Sequence, residues 1–107
     1  MSDGAIIVTG SASGIGRACT AMLLERGARV AAFDIQSEKL EAEFPGEIKN
    51  LLKISGNVAS TADCQNAVKS TLDKFGALDA LIHWGAAHWV VVWSDAYTVY
   101  GCGKGDV

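Results

Sequence analysis

Thr9-Gly10-Ser11-Ala12-Ser13-Gly14-Ile15-Gly16 is the stretch whose reading decides the fold. It follows an apolar run, Ala5-Ile6-Ile7-Val8, and opens onto apolar residues at helical spacing. A strand that breaks into glycines and then a helix builds a phosphate cradle; the competing reading is a structural turn with no ligand. Glycine accepts the left-handed dihedrals of a tight turn, and its missing Cβ lets the main chain approach a diphosphate. The first amides of the helix have no intrahelical acceptor, and the helix dipole places partial positive charge beside them.

Working outward, Ile15, Ala18, Cys19, Met22 and Leu23 fall at i, i+3, i+4, i+7 and i+8. That spacing predicts one buried helical stripe, with Gly27 at the C-terminal cap. Arg29–Asp34 predicts a second strand. Asp34 stands 18 residues past Gly16, close to where a dinucleotide fold places an acid after its second strand. A carboxylate there accepts hydrogen bonds from both ribose hydroxyls and repels a 2′-phosphate, which favours NAD over NADP. The competing reading is an aspartate that caps the next turn.

Ser37–Phe44 predicts a short helix with Ser37 as N-cap and Pro45-Gly46 as its stop. Leu51–Ser55 predicts a third strand. Ser60-Thr61-Ala62-Asp63 has the form of a capping box. Behind it Cys64, Ala67, Val68, Thr71, Leu72 and Phe75 share one helical face, and Gly76 ends the helix. Leu78–Ile82 enters a fourth strand. The alternation β-α-β-α-β-α-β implies an α/β fold with a parallel sheet and right-handed crossovers.

Thr9, Gly10, Gly14 and Gly16 spell TGxxxGxG, and over residues 5–82 the chain resembles the short-chain dehydrogenase/reductase family. The resemblance implies a three-layer, Rossmann-like sheet, incomplete here, with about four parallel strands, three helices and an irregular C-terminal tail. It implies an NAD-dependent oxidoreductase acting on a small alcohol or carbonyl substrate. Its cofactor site would comprise Gly10, Ser13, Gly14, Ile15 and Gly16, with Asp34 on the adenosine ribose. The family sets an acid-Val pair against adenine. Asn57-Val58 stands there in this chain, where the amide can hydrogen-bond the adenine amino group or simply serve a turn.

The pattern breaks after Ile82. The family's Asn-Asn-Ala-Gly is replaced by His83-Trp84-Gly85-Ala86, and all three tryptophans fall between residues 84 and 93. This composition shift divides the chain into a partial dinucleotide-binding unit, residues 1–85, and an apolar, glycine-rich tail, residues 86–107. Val90-Val91-Val92-Trp93-Ser94 follows too soon to be a parallel return, which needs a dozen or more residues. It can form an antiparallel hairpin, an exposed edge or a loose tail. Tyr100 and Lys104 keep the Tyr-x3-Lys spacing of the family's catalytic pair. In a helix that spacing sets both on one face, where the lysine lowers the tyrosine pKa for proton exchange with the substrate oxygen. Ser94 is the candidate serine that polarises the carbonyl. Gly101, Gly103 and Gly105 each weaken such a helix by about 1 kcal/mol.

The totals narrow the function classes. A chain of 107 residues suits one domain, and half of its residues are hydrophobic. A formal net charge of −3 gives no nucleic-acid footprint. No apolar run approaches a membrane span, and no signal-peptide core follows Met1. Cys19, Cys64 and Cys102 lie far apart, as free thiols in a cytoplasmic protein would. No metal-ligand spacing is present, and a homo-oligomer is compatible with the sticky tail. The sequence therefore reads as a short-chain oxidoreductase with an internal deletion and a lost C-terminal half. Beside it stands a catalytically inactive, truncated fragment that binds nucleotide or a partner.

Overall fold

Two strands carry the centre of the molecule. β1 (Ala5–Thr9) and β2 (Arg29–Asp34) pair in parallel from Ala5↔Arg29 to Thr9↔Phe33, and β1 is buried along its whole length. An apolar strand without alternation needs cover on both faces. In this computed structural model, which describes residues 4–85, 88–93 and 98–101 with side chains as far as residue 83, it has that cover. Ile6, Val8, Val30 and Ala32 pack with Leu23 of α1 (Gly14–Glu25) and Leu40 of α2 (Ser37–Glu43). The alternate residues Ile7, Ala31 and Phe33 pack with Ala67 of α3 (Thr61–Phe75) on the opposite face. The result is the expected three-layer α/β arrangement.

β3 (Leu51–Ser55) and β4 (Ala80–Gly85) extend the sheet on either side, both parallel to their neighbours. The sheet order is β3-β2-β1-β4-β5-β6. The chain winds outward through β2 and β3, then returns to lay β4 beside β1. The strand order therefore reverses between β1 and β4, and an open α/β sheet binds ligands at the carboxyl ends of the strands at such a switch point.

Beyond β4 the tail is not irregular throughout. β5 (His88–Trp93) pairs antiparallel with β4, from Ala80↔Trp93 to Gly85↔His88. β6 (Thr98–Gly101) pairs antiparallel with β5. Of the three arrangements open to the Val-Trp segment, the hairpin is the one formed, because a connection this short permits only an antiparallel return.

Several local expectations shift. Ser37 is the first residue of α2 rather than its cap; Gln36 takes the cap position, without a side-chain hydrogen bond. Ser60 does cap α3, its Oγ accepting the Asp63 amide at 3.2 Å. The Asp63 carboxylate does not close the box, since it accepts the Asn57 amide at 2.9 Å instead. The stripe of α1 is rotated from the predicted one. Gly16, Thr20 and Leu23 are buried, whereas Ile15 is 56% exposed and Met22 46%. Val68 and Leu72 of α3 are likewise exposed. α1 and α3 lie over β1 and β2, so the flank of each that turns away from that pair stays open to solvent.

Lys53 ties α2 to the sheet. Its Nζ donates to Phe44 O at 2.7 Å, to Gly46 O at 2.6 Å and to Glu41 Oε1 at 2.6 Å. An ammonium on carbonyls at a helix end satisfies acceptors that the helix leaves over. Lys53→Met is expected to lower stability by about 1 kcal/mol, a typical net value for such hydrogen bonds, as read by urea denaturation at neutral pH. The Lys53 hydrogen bond, helped by the Gly46 amide, holds the Glu41 carboxyl below the usual carboxylate range. Its folded pKa is thus below its unfolded one. The contribution is present above the unfolded value and fades as pH falls through the folded one, a small slope that Lys53→Met should flatten.

Candidate nucleotide site

The glycine loop hangs from the end of β2. The amides of Gly10 and Ser11 both donate to Phe33 O, at 2.8 and 3.4 Å. Gly10 and Gly14 have φ of +69° and +59°, values that exact a steric cost from residues with a Cβ. A Cβ built on either meets no atom within 4 Å, so the loop presents bare main chain to open space. Gly16 serves a different purpose. A Cβ there would sit 2.1 Å from Gly10 O and 3.0 Å from Thr9 O, so only glycine lets α1 start this close to β1.

Buried hydroxyls fix that closeness. Ser11 Oγ donates to Val8 O at 2.6 Å, and Thr20 Oγ1 lies 3.0 Å from Ser11 Oγ and 2.9 Å from Gly16 O. Arg17 is the first residue of α1 whose amide finds a loop acceptor, Ser13 O at 3.3 Å. The amides of Gly14, Ile15 and Gly16 precede any acceptor of the helix. Ser13, at the cap position, spends no side-chain hydrogen bond on the helix. The donor set suits a diphosphate: unpaired amides, one hydroxyl and the positive end of a twelve-residue helix.

Asp34 closes the site from the next strand. Its Oδ2 accepts the Ala12 amide at 3.0 Å, and its Oδ1 accepts the Gln36 amide at 2.8 Å. The capping reading of this residue is the one the hydrogen bonds display. It caps the turn into α2, and it is bonded directly to the glycine loop. Each carboxylate oxygen keeps a lone pair beyond these bonds, and the two amides fix its orientation.

A cavity of about 220 Å³ opens between the loop and the ends of β2, β3 and β4, lined by Thr9, Gly10, Phe33, Asp34, Ile35, Gly56, Asn57, Val58 and His83. It brings Gly10, Asp34, Asn57 and Val58 together. Asn57 Oδ1 accepts the Ala59 amide at 2.8 Å, so the turn role is real, and the side-chain NH2 is the group it has to offer. Gly56 went unread in sequence, and His83 was legible only as a departure from the family's motif. Gly56 makes room for the Phe33 ring, which a Cβ would meet at 2.5 Å; a lone glycine ahead of a turn carries no signal of that. His83, a residue without an evident partner in sequence, has its Nδ1 2.8 Å from Thr9 Oγ1.

The expected catalytic group is not assembled in view. Tyr100 lies on β6, opposite Val91 of β5, and not on a helix. Ser94 and Lys104 lie outside the described residues. Among the described residues no cluster of metal-ligating side chains occurs, and no helix is long and apolar enough to cross a membrane.

Residues 4–98 match the short chain dehydrogenase family model. The chain is 40% identical over 81 residues to ipsdienol dehydrogenase of Ips pini, an overlap of 76% of this chain and 30% of that protein. It is 37% identical to 2-(R)-hydroxypropyl-CoM dehydrogenase of Xanthobacter autotrophicus, over 72% of this chain and 32% of that one. Among solved structures it resembles 3-ketoacyl-(acyl-carrier-protein) reductase from Brucella melitensis complexed with NADH, with a TM-score of 0.68 at 27% identity, over 73% of this chain and 32% of that one. The chain thus spans about a third of the length of these proteins.

Proposed function

This chain belongs to the short chain dehydrogenase family, and from that premise we propose that it forms the nucleotide-binding half of an NAD-dependent oxidoreductase acting on an alcohol or carbonyl group. The observation that carries the reading is the 3.0 Å bond from the Ala12 amide to Asp34 Oδ2. It ties the glycine loop to the carboxylate proposed for the ribose and so supports reading them as one site. Gly14, Ile15 and Gly16 would hold the diphosphate through their amides, with Ser13 beside them and Gly10 opening the turn. Asp34 would take the adenosine ribose hydroxyls, and Asn57 and Val58 would border adenine. A carboxylate at that place disfavours a 2′-phosphate. NADH in the Brucella reductase supports a nicotinamide cofactor.

Bound there, the dinucleotide supplies a nicotinamide that accepts or returns a hydride. Tyr100 would exchange the proton with the substrate oxygen, Lys104 would lower its pKa and Ser94 would polarise the carbonyl, as the family resemblance implies. A cytoplasmic location and a homo-oligomeric state belong to the same reading. One observation favours a second reading, nucleotide binding without turnover. Tyr100 sits on a strand, and the Tyr-x3-Lys spacing makes neighbours of its ends only in a helix.

Incubation of the chain with NAD and a panel of secondary alcohols, followed by NADH absorbance, separates the two. The oxidoreductase reading expects turnover that drops about a hundredfold in Tyr100→Phe, the usual worth of a positioned acid–base group, with NAD affinity unchanged. Saturable NAD binding with no NADH from any alcohol leaves the binding-only reading.

A further inference from the structure

β6 stands last in the sheet order. One of its edges pairs with β5, and no strand among the described residues pairs with the other. In an antiparallel ladder alternate residues turn their N–H and C=O groups toward the partner strand. The remaining residues of β6 therefore aim theirs away from β5. Such an edge is a template for another strand, and sheets guard it with lysine, proline or a bulge. The opposite edge is guarded in this way. β3 carries Lys53 at its centre, with its Nζ held on Phe44 O and Gly46 O. β6 has no such guard. Thr98, Val99, Tyr100 and Gly101 include no charge and no proline, and they pair one to one with β5, without a bulge.

The flanking sequence decides which strand fits. No residue between Asp95 and Lys104 is charged, and these two stand equally far in sequence from the midpoint of β6, between Val99 and Tyr100. A second copy laid antiparallel about a two-fold axis at that midpoint opposes Val99 to Tyr100 and Thr98 to Gly101. Counted along the sequence, it also sets Asp95 against Lys104. A parallel copy would count Asp95 against Asp95, and like charges opposite one another are destabilising. A two-fold contact uses the same patch on both copies and has to be self-complementary, which this stretch is in the antiparallel direction.

We propose that the free edge of β6 is a self-association surface whose occupant is β6 of a second copy, antiparallel, giving a closed dimer with one sheet continuous through both copies. The proposal goes beyond the nucleotide reading and does not rest on it. The glycine loop and Asp34 belong to β1 and β2, and β4 and β5 lie between those strands and β6.

Sedimentation equilibrium of the whole chain tests it. A monomer–dimer equilibrium with a Kd of about 10–100 µM is expected, the weak end for an interface this small. Val99→Lys, which puts a lysine at the centre of the edge, should weaken the dimer about tenfold or more, and its melting curve checks that it folds. Lys104→Glu counts acid against acid and should weaken the dimer severalfold. Asp95→Lys combined with Lys104→Glu re-pairs the charges and should restore it, a rescue that damage to the fold cannot produce. A chain that stays monomeric to about 200 µM overturns the proposal. So does growth past the dimer, or a dimer that neither a folded Val99→Lys nor Lys104→Glu weakens. Titration of the same samples with NAD reports on the nucleotide site separately, so dimerisation and nucleotide binding can each fail while the other stands.

Discussion

Gly16→Ala is expected to cost this protein at least about 3 kcal/mol of folding stability, the upper range for forcing atoms into a packed site. The added Cβ would stand 2.1 Å from Gly10 O and 2.6 Å from Gly10 C, and both are main-chain atoms that cannot swing aside. Relief requires α1 to retreat from the loop. That motion pulls on Thr20 and Ser11, whose hydroxyls pin Gly16 O and Val8 O. Alanine's better helix propensity returns only about 1 kcal/mol. In a domain holding roughly 5–15 kcal/mol in all, the balance should appear as a large drop in the urea midpoint. Gly14→Ala provides the contrast. Its Cβ meets nothing, so its stability cost should be limited to the positive φ, about 1 kcal/mol. Its effect should fall on nucleotide binding, because the methyl group enters the cradle.

Asp34→Ala is expected to weaken NAD binding by about a hundredfold, since the two charge-assisted hydrogen bonds proposed to ribose hydroxyls would be lost, together worth roughly 3 kcal/mol. NADP should lose far less, since the carboxylate opposes its 2′-phosphate. Stability falls as well. The Ala12 amide loses the acceptor it has at 3.0 Å, and Ala12 is fully buried, which costs about 1–3 kcal/mol for an unsatisfied donor. The Gln36 amide is at an exposed residue and recovers water. Calorimetric titration with both nucleotides, run beside a thermal melt, separates the binding loss from the stability loss.

The N-terminal half was legible because its local signals agree with the global fold. The residues of β2 and β3 could be bounded from sequence to the residue, since apolar runs end at turn-formers on both sides. Gly10, Gly14 and Gly16 marked the strand–turn–helix junction through their spacing together with their place between an apolar run and a helical stripe. Asp34 was legible as an acid one strand over, although its bond to Ala12 was not, because an amide leaves no mark in a sequence. The helix stripes misled for a physical reason. Ile15 and Met22, like Val68 and Leu72, are apolar at helical spacing and yet exposed. Periodicity reports which face is apolar but not whether a neighbour covers it. Ile15 and Met22 instead border an apolar groove with Ile82 of β4. The Val-Trp segment was undecided among three arrangements, since strand propensity fixes neither partner nor direction; the short connection decided it. His83 was visible as a departure from the family's motif, but its bond to Thr9 spans 74 residues of sequence, a separation no local pattern encodes.

Calorimetric titration of the unmodified chain with NAD and with NADP tests most directly whether the glycine loop and Asp34 hold the same molecule. One saturable site for NAD, with NADP weaker by about tenfold or more, is the expected outcome. Heats of dilution alone for both nucleotides at millimolar concentration, from a chain that melts cooperatively, would contradict it.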